Sequence, residues 1–210
     1  MPVRSRAVTV VVNDVDLEPT AQRAPGAKQR ILETADRLFY GDGIRSVGID
    51  RLISESSVTK ATFYKHYGSK DRLILLYIEG RHTAEVADLE AILAAHPAPE
   101  AALRAIVAAI VADIATPGFR GCAFLNAATE FADARHPVRS VVLRHREWYT
   151  GFLADLLQDL GHRMPGDAAD EFMLARDGAM TGGYAGDPIA ASAALQRVTD
   201  AVIATAQLAH

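Results

Sequence analysis

Residues 60–66 read Lys-Ala-Thr-Phe-Tyr-Lys-His. Lys60, Thr62, Tyr64, Lys65 and His66 each carry an N–H or O–H donor, and such donors bind phosphate oxygens or the edges of DNA bases. Wound into a helix, the segment sets Phe63 and Tyr67 on the other side, where they can anchor it to a core. Thr59 is placed to cap that helix, its hydroxyl accepting a free backbone N–H of the first turn. The expected chemistry is non-covalent recognition of a polyanion. The plainer roles are a solvated Lys65, a surface His66 and a core Tyr64.

The remaining reactive side chains form no catalytic pattern. Cys122 is the one cysteine of the chain, so an intrachain disulfide is excluded. As a nucleophile it would need His136 or His145 beside it, and a buried structural cysteine is the simpler expectation. His82, His96, His136, His145 and His162 lack the spacing of a metal site, so neither a metal nor a cofactor is expected.

Charge is unevenly spread. The chain carries −4 overall, but residues 23–72 hold ten Lys and Arg against six Asp and Glu, giving +4 and leaving −8 elsewhere. A basic end on an acidic remainder suits a protein that meets phosphate with one end only. Half of the 210 residues are hydrophobic, enough for a substantial core. No apolar run approaches the roughly 18 residues of a membrane span. Arg4 and Arg6 before the apolar 7–12 run imitate a signal peptide, but the run is short and Asp14, Asp16 and Glu18 follow it. Residues 1–25 are therefore read as a disordered extension. Arg23, Lys28 and Arg30 at its end are candidates to reach phosphate.

The elements that must position these groups all read as helices, about nine, in an all-α chain. Helical spacing of Ile31, Ala35, Leu38 and Phe39 predicts a helix over 27–40, stopped by Gly41 and Gly43. Short helices over 49–55 and 60–66 flank the turn Ser56-Ser57-Val58. Ser69 caps a long helix over 70–94. Prolines and glycines then divide the remainder into helices over 100–116, 122–133, 138–160, 167–184 and 188–208. Two short helices joined by a tight turn, over 47–67, form a helix-turn-helix pattern. This predicts a three-helix head over 26–72 and a helical body over 73–210. Phe124, Asn126, Glu130, His145, Trp148, Tyr149 and Met180 are the body's candidates to line a ligand cavity, since cavities combine apolar rings with sparse polar anchors.

The stretch KQRILETADRLFYGDGIRSVGIDRLISESSVTKATFYKHYGSKDRLILLYI resembles the DNA-binding domain of the TetR family of transcriptional regulators over residues 27–78. Its strongest parts are the helix-Gly-Gly segment at 31–43 and VTKATFYKHYGSKDRL at 58–73. GCAFLNAATEF at 121–131, followed by His136-Pro137-Val138, is similar to a subset of these regulators. The resemblance implies DNA contacts from Lys60, Ala61, Thr62, Tyr64 and His66, with Lys70 as a phosphate-binding lysine. Within that set, Lys60 to Thr62 read bases, and Tyr64 and His66 hold phosphates. It further implies a cytoplasmic repressor, a homodimer through the last two helices, and an unknown small-molecule effector in the body that controls operator binding. Gly48, where the family has Ser or Thr, predicts one phosphate contact fewer, and Ser57 stands where the family has a turn glycine. Two other readings stay open: a helical enzyme using Cys122 or Glu130, and a protein-binding scaffold without duplex affinity.

Overall fold

The computed structural model describes residues 25–207. The expectation of a disordered extension over 1–25 falls, Pro25 apart, outside the described residues. Nine α-helices make up these residues: α1 Ala27–Asp42, α2 Ile49–Glu55, α3 Lys60–Tyr67, α4 Lys70–Ala95, α5 Pro99–Ile114, α6 Ala123–Glu130, α7 Pro137–Asp159, α8 Pro165–Ala185 and α9 Pro188–Gln207.

The short helices at the N-terminal end are bounded by local chemistry. Ile31, Ala35, Leu38 and Phe39 give α1 its buried stripe. Gly43 follows at φ 92°, a left-handed backbone that glycine adopts without a Cβ penalty. Gly48 begins α2 and offers no side-chain cap. The turn after α2 passes through Ser57 at φ 52°, the one non-glycine residue with positive φ among those described. Thr59 Oγ1 then accepts the Thr62 N–H at 3.1 Å, and Ser69 Oγ accepts that of Arg72 at 3.1 Å. Each supplies an acceptor to an otherwise unpaired first-turn donor.

The long helix α4 links the two ends of the molecule, packing on α1 and α3 and also on α5, α6 and α7. Its Arg81 grips both carboxylate oxygens of Asp36 on α1. The buried residues form one cluster that runs from Ile31 to Ile203, so head and body share a core. In the body, α8 packs closely on α9. Gly183 of α8 lies so near α5 that a Cβ there would sit 2.6 Å from Ile114 Cγ2.

The helix expected over 122–133 is shorter than its composition suggests. It ends at Glu130, and Phe131 leaves the helical backbone. Asp133 explains the turn that follows. Its carboxylate accepts the Arg135 N–H at 2.9 Å and its carbonyl that of His136 at 3.0 Å, a local pairing that competes with helix. Proline opens α5, α7 and α8, where its missing N–H has no partner to lose. Among the described residues, no helix is long and apolar enough to cross a membrane.

Candidate nucleic-acid interface and internal cavity

Helix α3 is fixed from behind. Phe63 and Tyr67 are fully buried, and the Tyr67 hydroxyl donates to the Lys28 carbonyl at 2.6 Å. The helical repeat then turns Lys60, Ala61, Tyr64 and Lys65 outward as one exposed stripe. Tyr64 is 41% exposed, and its ring meets Phe63 edge-on at 5.5 Å. His66 and Thr62 are half-buried at the margins. The Thr62 hydroxyl lies 2.9 Å from that of Thr59, so part of its hydrogen-bonding capacity is used within the helix start.

Two basic residues singled out in the sequence are engaged elsewhere. Lys70 donates its ammonium to the Ile44 carbonyl at 2.7 Å and stands over the Phe39 ring. Burial lowers its pKa, outweighing the nearby Glu130 and Asp71. Arg30 sits in α1 and reaches the carbonyls of Ser56 and Ser57 at 3.3 and 3.4 Å, where it braces the turn between α2 and α3.

The body contains a cavity of about 510 Å³ between α4, α5, α6, α7 and α8. Of the seven cavity candidates, Phe124, Tyr149 and Met180 line it. Burial pushes the Tyr149 hydroxyl up to about 12, and the Arg176 guanidinium lies 4.7 Å from its ring centre. The other four candidates have different surroundings. Asn126 donates to the Arg120 carbonyl at 2.8 Å. Trp148 packs edge-on against His82 at 5.1 Å. His145 is 2% exposed, stacks on Phe124 with ring centres 3.4 Å apart, and pairs Nδ1 to Nδ1 with His82 at 3.1 Å. Burial, with the charge of Arg176 and then His82, pushes its pKa down to about 3, so it is neutral near pH 7. Its 3.7 Å approach to Glu85 is therefore no ion pair at that pH.

Glu130 stands apart from the cavity and bridges to the head. Its two carboxylate oxygens accept the backbone N–H groups of Ile44 and Arg45 at 2.8 and 2.7 Å. A second bridge starts in the cavity wall. The Tyr40 hydroxyl accepts the Arg120 N–H at 2.9 Å and donates to the Gly121 carbonyl at 3.0 Å. Tyr40 and the 121–124 segment both line the cavity, and α6 runs from that segment to Glu130.

Sequence reasoning missed Tyr40, Arg81, Glu85, Asp88, Asp113 and Arg176 as lining residues. Cys122 is buried in the wall with Arg176 Nη1 3.8 Å from its sulfur. Among the described residues no group of three or more His, Cys, Asp or Glu side chains is placed to hold a metal ion.

Comparison with known proteins gives matches at both ends. A family described as "Bacterial regulatory proteins, tetR family" matches residues 31–76, and one described as "Tetracyclin repressor-like, C-terminal domain" matches residues 99–181. SCO4454, a TetR-family transcriptional regulator from Streptomyces coelicolor, is 40% identical at a TM-score of 0.83, with 86% of this chain and 95% of that chain covered. The regulatory protein TetR from Rhodobacter sphaeroides is 22% identical at a TM-score of 0.72, covering 85% of this chain and 98% of its own, a likeness of fold alone. YerO of Bacillus subtilis, an uncharacterized HTH-type transcriptional regulator, is 34% identical over 76 residues, which span 35% of this chain and 26% of that protein.

Proposed function

This chain belongs to the tetR family of bacterial regulatory proteins, and we propose that it is a homodimeric repressor whose hold on an operator is controlled by a small molecule in the body. Membership makes it a transcriptional regulator with a DNA-binding domain rather than an enzyme. The observation that carries the operator reading is the outward stripe of α3. Lys60, Ala61, Tyr64 and Lys65 are exposed together on a helix held by two fully buried rings. A rigid helix with donors on its free side suits insertion into the major groove, with Thr62 and His66 at the edges of the contact. Lys70 serves this surface mainly by bracing the loop behind it, since its ammonium is committed to Ile44.

Two copies are needed to place two recognition helices about 34 Å apart on successive turns of the groove. Leu174 on α8 and Ile189 on α9 support a pairing through the last two helices, being 71% and 81% exposed respectively. Large apolar side chains left this open favour burial against a partner surface. Operator binding sets the working compartment as the cytoplasm.

Control by a ligand follows from where the cavity lies. An occupant that shifts the 121–124 wall pulls on Tyr40 directly and on the Ile44–Arg45 backbone through α6 and Glu130. The required coupling is small, about 1–3 kcal/mol of difference in ligand affinity between the two states. Sedimentation of the protein on duplex DNA taken from beside its own gene tests the proposal. Two copies per duplex, with a footprint repeating at one helical turn, are expected. A single copy with an unpatterned footprint contradicts it.

A further inference from the structure

Five charged side chains line the cavity: Arg81, Glu85, Asp88, Asp113 and Arg176. Three of them belong to sets that already cancel. Arg81 is neutralised by Asp36, which meets it with both oxygens. Arg176 reaches Glu85 at 3.0 Å and Asp177 at 3.3 Å, and Arg146 holds Asp177 at 2.7 Å, so two cations meet two anions. Asp88 and Asp113 are left over. Neither carboxylate has a hydrogen-bond or ion-pair partner among the described residues, and both are solvent-exposed. The Asp113 carboxyl is raised by partial burial and then by repulsion from Asp88, against the weaker pull of Arg176 and Arg81, consistent with two like charges facing one space.

The wall beside this negative charge is aromatic, with Tyr40, Phe119, Phe124 and Tyr149 among its residues. Its buried end is unfinished: Arg176 is 4% exposed, yet its Nε–H has no partner. A buried donor left unpaired costs free energy that an oxygen-bearing occupant would offset. The charge on Arg176 does not recommend an anion, since two carboxylates already face it. An anionic ligand would instead share the cavity with the carboxylates of Asp88 and Asp113.

We infer that the cavity takes a hydrophobic organic cation, its ammonium group held by Asp88 and Asp113 and its apolar body laid against the aromatic wall. Carboxylates supply the Coulomb attraction, and ring faces add attraction for a cation above them. The inference rests on the cavity being the effector site proposed above.

The test uses three probes that share one ring system and differ in charge: 1-naphthylmethylamine, 1-naphthalenemethanol and 1-naphthoate. Each is titrated into the full-length protein by calorimetry, without DNA. The amine is expected to bind about tenfold or more tighter than the alcohol, after solvent screening of exposed carboxylates is allowed for, and the naphthoate weakest. In the double variant Asp88→Asn, Asp113→Asn, the amine's advantage disappears while the alcohol's affinity is kept. Equal affinities for amine and alcohol in the unaltered protein, absence of binding by both included, overturn the inference without any variant. So does an advantage that survives the double substitution. A charge preference that leaves operator affinity unchanged counts against ligand control and upholds the ligand class, so the two readings fail separately.

Discussion

The carboxylate of Glu130, the last residue of α6, accepts the backbone N–H of Ile44 at 2.8 Å across 86 residues of chain, and that of Arg45 beside it at 2.7 Å. Lys70 completes the arrangement from the other side by donating to the Ile44 carbonyl. The loop between α1 and α2 is therefore held by its own backbone groups, through one acid from the body and one base from α4. A loop gripped in this way moves when α6 moves.

Replacing Glu130 with alanine is expected to lower stability by about 1–2 kcal/mol, since charge-assisted hydrogen bonds to two amides are lost. For a chain of this length that corresponds to a fall of about 2–8 °C in melting temperature. Hydrogen exchange at the Ile44 and Arg45 amides should quicken, while operator affinity stays within a few-fold. Unchanged protection of these two amides would show that the bridge holds nothing.

Ser57 occupies left-handed backbone at φ 52°, which for a residue with a Cβ costs about 1–2 kcal/mol. Ser57→Gly relieves that strain but gives the unfolded chain more freedom. The net expectation is a gain of up to about 1 kcal/mol, read as a higher denaturant midpoint at unchanged slope. A loss of stability would mean that the turn is not strained there.

Protonation of His145 sets one part of the acid response. Its folded pKa, near 3, lies below the ordinary value of 6.5, so between these limits the unfolded chain binds the extra proton. Stability from this group is complete above pH 6.5 and is lost as pH falls toward 3. Between pH 6.5 and 5 the loss should be about 1–2 kcal/mol, from 1.36 kcal/mol per pKa unit. Glu85 and Asp113 act in the opposite sense, because burial raises both carboxyls and the folded state then gains protons first. The comparison that isolates the histidine is urea unfolding of His145→Gln beside the parent across this range. The variant should show the flatter decline, and equal slopes would remove the assignment.

How far these features could be read from the residues depended on how local their causes are. Helix α3 was legible because Thr59, Phe63 and Tyr67 act within one helix and its immediate support, so a cap and a 3.6-residue repeat define it. The caps at Thr59 and Ser69 followed for the same reason. Glu130 was not legible in its bridging role, because its partners are backbone amides that carry no sequence signature and lie 86 and 85 residues away in the α1–α2 loop. Asp88 and Asp113 look like ordinary solvated positions on α4 and α5. Only the packing of these helices gives them a shared cavity, in which neither carboxylate has an ion-pair partner among the described residues. Lys70 was readable as a basic residue near the head, whereas its turn toward Ile44 depended on where the α1–α2 loop passes.

The proposed operator contact is the exposed stripe of α3. Fluorescence anisotropy of a labelled duplex from beside the protein's own gene tests it most directly, with the unaltered protein set against Lys60→Ala, Tyr64→Ala. Binding is expected to weaken steeply with added salt, as release of counterions requires, and to fall about tenfold or more in the folded double variant. Equal binding by parent and variant, or no duplex binding by the parent at physiological salt, would contradict it.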